Sequence, residues 1–382
     1  MNKKSTNSIL GLCFIAILAG VFICNLFTSD KTFSEEENRV LQEKPQLTLH
    51  SYIEGRYEKK LESYVNDQFL ARNAFIKVKT ASDVTCGKLE SNGVYRCKDN
   101  YLMESIAEPT EHWMKNTVAS LNQFKRQHKK LNMYFLLAPN AANILEERLP
   151  VTVKMADQNQ YMDQFYKEVK DCGIQPIDIR KILRKHNDEE SQLYYRTDHH
   201  WTTDGAFLAY KKVVSAMKLK DNVEYKRYVV KNDFRGTLAS KSGFTNGKND
   251  PLTIYMPNKD KDYRNSVIYY ADTKTKTTEF YQLENLDTKD AYTVFGGSNH
   301  PLYTIKTPTA SDRRLLLVKD SYANSMIPFL AQNFREIIVV DPRYFYDDID
   351  DIMKAEGVTD VMFLYNANTF FNDNSLEMMI TA

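Results

Sequence analysis

The sequence predicts a three-layer α/β domain with a central, mostly parallel sheet, on three observations. Short apolar runs at 133–138, 315–318, 337–340 and 361–365 have the length and residue types of buried strands. Helix-period segments separate them, and strand–helix alternation marks parallel βαβ units. The run Leu315-Leu316-Leu317-Val318 stops at Lys319-Asp320-Ser321, ahead of a helix-compatible segment at 322–333. That arrangement presents a hydroxyl at the carboxyl end of a buried strand, the edge where open α/β sheets bind ligands. A helix starting there would aim free N–H groups at an anion forming beside Ser321.

The chain's 382 residues exceed a usual single domain but admit one large α/β domain with appendages. Its 51 basic and 50 acidic residues nearly cancel, so no global field points to nucleic acid. The 24 Tyr and 20 Phe are mostly core, with exposed ones suited to sugar rings.

The amino terminus comes first in order. Lys3 and Lys4 precede an uncharged, mostly apolar run at 8–27, which as a helix rises roughly 30 Å, enough to cross a bilayer. Positive charge on the leading side holds that end in the cytoplasm, so the rest is expected outside. A cleaved signal peptide is the competing reading, opposed by the length of the run and the lack of an Ala-x-Ala site. Residues 1–29 are thus expected to be a single-pass anchor in the cell membrane, 30–80 a linking prologue, and 81–382 the main domain with an accessory region at 225–310. Cys86 and Cys97 flank the turn signal Ser91-Asn92-Gly93, so a local disulfide and free thiols are both open.

Within the prologue, 52–69 has helical spacing (Tyr57, Leu61, Tyr64, Phe69). Residues 93–95 and 101–103 read as a hairpin, 111–130 and 161–169 as helices, 133–138 as a strand stopped by Pro139. A strand follows Gly173, and then a helix at 179–185. In the accessory region, 266–271, 277–281 and 292–295 read as strands, and the last leads into Gly296-Gly297-Ser298-Asn299-His300. Paired glycines there would let backbone N–H groups approach a ligand closely.

The stretch Tyr194-Tyr195-Arg196-Thr197-Asp198-His199-His200-Trp201-Thr202 precedes a helix at 206–217. Asp198 and His200 stand two apart, so in an extended or turn segment both reach one region of space, while His199 points away toward packing. A carboxylate beside an imidazole fixes its tautomer and stabilises its cation, as a general base for a serine hydroxyl requires. Asp198, His199, His200 and Asp204 are also ligand types, but adjacent histidines rarely face one ion and no second cluster supports a metal. No metal and no cofactor is expected. Past Ser321 the pattern runs helix, strand (337–340), helix (349–355), strand (361–365) and Asn366. Two right-handed crossovers would bring Asn366 to the edge that holds Ser321, where its amide could donate to an oxyanion.

These residues carry a resemblance. The tail resembles SGNH (GDSL-type) hydrolases, with Asp320-Ser321 in the nucleophile block and Asn366 in the place of the oxyanion Asn. More of the chain is similar to the DHHW family, relatives of periplasmic alginate O-acetyltransferases. The matching pieces are Ser34-Glu35-Glu36-Glu37-Asn38-Arg39, Asp198-His199-His200-Trp201, Phe295-Gly296-Gly297-Ser298-Asn299 and Lys319-Asp320-Ser321-Tyr322-Ala323. Lys319 departs from the pattern, standing where ordinary members have Gly. The resemblance implies an SGNH-like three-layer fold with Ser321 as nucleophile, His200 as base and Asp198 as its orienter. Gly297 and Asn299 are candidate oxyanion donors, and Tyr322, Trp201 and Arg196 candidate substrate contacts. It further implies O-acetylation of a cell-wall polysaccharide or exopolysaccharide, with a membrane-bound O-acyltransferase partner supplying acetyl groups. An acetylesterase on the same triad and a non-catalytic glycan-binding protein are the alternatives; a DHH phosphoesterase shares letters only.

Overall fold

In the computed structural model the four apolar runs are adjacent strands of one sheet. The structure describes residues 3–34, 39–53, 55–187, 192–220, 223–244, 247–258 and 265–381. The chain divides into two units, 1–91 with 240–244, and 92–239 with 245–382.

The first unit is mostly helical, with Lys3–Leu26, Leu49–Ile53, Arg56–Asp67 and Arg72–Thr85, and pairs two short antiparallel strands, Phe33–Ser34 and Arg39–Val40. The single helix predicted over 52–69 is broken by Gly55, whose φ of 67° lies in the left-handed region. Among the described residues no helix is long and apolar enough to cross a membrane. Most of the acidic motif, residues 35–38, lies outside the described residues.

The second unit holds the sheet: β1 (Asn132–Ala138), β2 (Gln175–Pro176), β3 (Val267–Tyr270), β4 (Thr275–Thr277), β5 (Leu302–Lys306), β6 (Arg314–Lys319), β7 (Glu336–Val340) and β8 (Asp360–Asn366). Their order is β4-β3-β5-β7-β6-β8-β1-β2. Pairs among β7, β6, β8, β1 and β2 are parallel, whereas β5, β3 and β4 join antiparallel. The sheet is therefore mixed, because the accessory region adds three antiparallel strands to a parallel core. Side chains alternate between two buried faces. Leu136, Leu317, Val339 and Leu364 enter one core, with Ala206, Tyr210 and Val213 of the helix Thr203–Met217. Phe135, Leu316, Ile338 and Phe363 enter the other, with residues of Glu111–Gln127, Gln158–Asp171 and Ile349–Glu356. Burial on both faces is why these strands read as continuous apolar runs.

Three local expectations are corrected. The predicted strand at 292–295 is a 3₁₀ turn, Ala291–Val294. The strand expected at 277–281 ends at Thr277. The helix expected over 322–333 is a 3₁₀ turn, Ser321–Ser325, followed by the short helix Ile327–Leu330, with Pro328 in its first turn. Cys86 and Cys97 are free thiols. Cys86 ends the helix Arg72–Thr85 rather than entering a hairpin with Cys97, and burial pushes the Cys97 thiol up to about 12.

Candidate active site

A small hairpin presents the base. Tyr194 and Trp201 face each other in an antiparallel bridge, the Tyr195 N–H donates to the His200 carbonyl (3.2 Å), and residues 196–199 form the connecting loop. Asp250, fully buried, organises that loop. Its Oδ1 accepts the Arg196 N–H (2.9 Å) and Gln192 Nε2 (2.6 Å), while Oδ2 accepts the Thr197 N–H (2.9 Å) and hydroxyl (2.7 Å). Asp198 Oδ1 then accepts the His200 N–H (2.9 Å) and lies 2.6 Å from Nδ1. Its Oδ2 accepts from Thr237 N–H (2.8 Å) and Oγ1 (2.9 Å), so the carboxylate has a partner on every side.

The nucleophile arrives on the end of β6. Asp320 Oδ1 accepts the Tyr322 N–H (2.9 Å) and Oδ2 accepts the Asn366 N–H (2.8 Å), fixing the turn to the end of β8. Ser321 Oγ then lies 2.8 Å from His200 Nε2. The Trp201 indole N–H reaches both the Tyr322 carbonyl and Ser325 Oγ at 3.0 Å, and the Tyr322 hydroxyl donates to the His199 carbonyl. These bonds tie the base hairpin to the nucleophile turn. A hydroxyl, an imidazole and a carboxylate so linked can pass a proton from Oγ to His200 as Oγ attacks an acyl carbon.

Electrostatics favour a neutral base. Burial pushes the His200 imidazole down to about 4, and His199 pushes the same way, against the pull of Asp198. Burial alone would raise the Asp198 pKa, but His199, His200 and the Thr237 N–H outweigh it and hold that carboxyl well below the usual range. Since the base works deprotonated, acylation should stay level from neutral pH to about 5 and decline only as His200 protonates near 4. His199→Gln removes a repelling neighbour and should move that decline to higher pH. Single-turnover acylation against pH checks both, and a decline centred near an ordinary histidine's 6.5 counts against this electrostatic account.

His199 does not point away as expected. Its ring packs on that of His200, with centroids 3.9 Å apart, and its Nδ1 lies 2.7 Å from Thr237 Oγ1. Donor atoms of Asp198, His199 and His200 fall within 4.8 Å of one another, a spacing that a cation would also accept, but the Asp198 and His200 atoms are already joined.

Other candidates have different work. Asn366 caps the helix Ala367–Asn372 through Oδ1, and its Nδ2 donates to the Ala138 carbonyl (3.2 Å) and Asn140 Oδ1 (3.3 Å), which engages the amide fully. The Gly297 N–H donates to the Thr293 carbonyl (2.9 Å), and Asn299 is exposed with no side-chain hydrogen bond among the described residues. Asn366 and Gly297 thus spend these donors on other partners rather than on an oxyanion. So does the Tyr322 N–H, which Asp320 holds. The backbone N–H of Ser321 has no partner among the described residues and stands beside Oγ, so it is the donor left available. Trp201 and Tyr322 are fully buried ties between the two segments. Arg196 donates to Gln192 Oε1 (2.5 Å) and lies over the Tyr101 ring (5.3 Å), bracing the loop.

Sequence reasoning missed Asp250, Thr237, Gly236, Tyr292 and Arg343. Tyr292 stacks on His200 at 3.8 Å and 10°, and its hydroxyl donates to the Ser321 carbonyl (3.3 Å). Lys319, fully buried, lies 3.6 Å from Asp341, which also accepts two bonds from Arg343 (2.8 and 2.6 Å), so the departure at position 319 is balanced by charges after β7. A Cβ on Gly236 would overlap Asp198 Cβ and Oδ2. Gly236→Ala should therefore keep the fold but lower acylation by about 100-fold, the order of loss for a misplaced catalytic group. Unchanged activity with an unchanged melting temperature would count against the need for this close approach.

The fold is SGNH hydrolase-like, and along the chain Asp198 and His200 come before Ser321. Residues 101–267 match the family model described as an SGNH hydrolase-like domain, acetyltransferase AlgX. That match takes in Asp198 and His200 and stops before Ser321. Over those residues the chain is similar to that SGNH hydrolase-like domain. Solved structures with a similar fold include a DHHW family protein from Eubacterium siraeum, with 23% identity and a TM-score of 0.60, covering 76% of this chain and 95% of that one. Bacillus cereus PatB1, whose structure carries a sulfonyl adduct, has 20% identity and a TM-score of 0.60, covering 75% and 99%. No curated protein matches the sequence.

Proposed function

We propose that this protein is an O-acetyltransferase that acetylates hydroxyls of a cell-wall polysaccharide or exopolysaccharide through an acetyl-Ser321 intermediate. The observation that carries the reading is the 2.8 Å contact between Ser321 Oγ and His200 Nε2, with Asp198 2.6 Å behind the ring. His200 takes the Ser321 proton as Oγ attacks the acetyl carbonyl, then gives it to the departing group. A sugar hydroxyl next yields its proton to His200 and attacks the acetyl-serine, and Ser321 regains its hydrogen. The AlgX description as an acetyltransferase supports acyl transfer, and the PatB1 structure of similar fold carries a sulfonyl adduct.

In the same proposal the apolar run at 8–27 anchors the chain in the cell membrane with the catalytic unit outside, and a membrane-bound O-acyltransferase passes acetyl groups to it. The test supplies full-length protein with an activated acetyl ester and oligosaccharide acceptors. Acetylated sugar formed faster than free acetate supports transfer. Free acetate alone, at a rate indifferent to every acceptor, makes the protein an esterase. Glycan binding without turnover, unaffected by Ser321→Ala and His200→Ala, makes it a binding protein.

A further inference from the structure

The loop Gly296-Gly297-Ser298-Asn299-His300 takes no part in the mechanism above, yet it holds a second linked set of the same three side-chain types. His300 Nδ1 lies 3.0 and 2.9 Å from the two oxygens of Asp272, and its Nε2 lies 3.3 Å from Ser298 Oγ. The ring is buried and stacks on Tyr270 (4.1 Å, 30°), so its orientation is fixed, while Ser298 is exposed to an incoming reagent. Burial alone would raise the Asp272 pKa, but the bond from His300 and the Thr273 N–H keep that carboxyl ionised below its usual range.

Topology places this set. β5 runs antiparallel to β7 with Leu302 opposite Val340, and Pro301 accepts the Asp341 N–H (3.1 Å). β3 runs antiparallel to β5 with Tyr270 opposite Tyr303, which brings Asp272 to the same level. Ser298, His300 and Asp272 therefore sit on the carboxyl edge of the parallel strands, the edge that bears Ser321. Gly296 (φ 82°) and Gly297 (φ 76°) turn the chain into the loop. The backbone N–H groups of Ser298, Asn299 and His300 have no partner among the described residues, which leaves donors beside the hydroxyl for an oxyanion.

We propose that Ser298, with His300 as base and Asp272 as its orienter, is a second acyl-accepting site that takes an acyl group from an activated acyl ester. Ser298 Oγ attacks the carbonyl carbon and passes its proton to His300 Nε2. The carbon–oxygen bond to the leaving alcohol or phenol then breaks, and the leaving oxygen takes that proton, so an acyl-Ser298 ester results. The longer Ser–His separation, 3.3 against 2.8 Å, makes this the slower of the two sites. The chemistry at Ser298 does not depend on Ser321 being a nucleophile.

The test uses the full chain carrying Ser321→Ala, p-nitrophenyl acetate as the probe, and peptide mass mapping after a timed exposure. One acetyl group should map to Ser298 and vanish in Ser298→Ala. His300→Gln should slow its appearance by about 100-fold, in the range for loss of a general base. Asp272→Asn, an isosteric change on an exposed residue, should slow it by about tenfold without shifting the melting temperature. No acetyl on Ser298, or acetylation indifferent to both His300→Gln and Asp272→Asn, overturns the proposal. Mapping on wild-type protein reads Ser321 and Ser298 as separate peptides, so failure of one site is distinct from failure of the other.

Discussion

Ser321→Ala should lower acyl-enzyme formation on its own peptide by about 10⁴-fold or more, with the melting temperature unchanged. The size follows from what the hydroxyl does. It is the atom that bonds to the acyl carbon, and without it His200 has no proton to take and only binding contributions remain. The fold should not notice, because Ser321 Oγ has His200 as its hydrogen-bond partner and the turn is held by Asp320 and the Trp201 indole. His200→Ala should cost nearly as much, and the double variant little more than either alone, because the two side chains act as one unit. Rapid-mixing acylation with an activated ester checks the set. A total acylation rate for Ser321→Ala equal to that of the wild type would remove Ser321 from the mechanism.

Asp250→Ala should have the largest effect on stability, about 3–5 kcal/mol, the range for removing one partner of a buried, multiply bonded charge. The carboxylate is fully buried, and its loss leaves the Arg196 and Thr197 N–H groups without their acceptors. Activity should fall too, since Thr197 precedes Asp198 directly and its hydroxyl accepts the Gly236 N–H (3.0 Å). Asp250→Asn keeps the shape but replaces one acceptor oxygen by a donor, so it should recover only part of the loss. Urea unfolding followed by acylation rates gives both quantities; a stability within 1 kcal/mol of wild type for the alanine variant would show that the loop is held by other means.

The parallel core was legible because its strands are buried on both faces. Leu315 to Val318 and Val361 to Tyr365 have no polar side to confuse the pattern. The antiparallel strands were harder. Thr275–Thr277 carries little apolar signal, and 292–295 has strand composition but turns so that the Tyr292 ring lies on His200. Of the site, Asp198, His200 and Ser321 were readable from spacing and from the strand end. Asp250 and Thr237 were not, because their roles arise only when a distant loop folds onto the hairpin, and nothing local in Asp250-Pro251 marks an acceptor of four bonds. Asn366 was misread because a side chain at a strand end can serve the following helix as readily as a ligand, and here Asn368 and Thr369 N–H groups claim it.

Strand order has a bearing on how the chain is made. β8, which follows both β1 and β6 along the chain, lies between them and bonds to both. Until it emerges, a nascent chain carries two half-sheets with bare inner edges, each an invitation to pair with a neighbouring chain. Premature stops anywhere ahead of residue 360 should therefore yield aggregates rather than shortened but soluble protein, and any holdase that attends synthesis would have its main task in that interval.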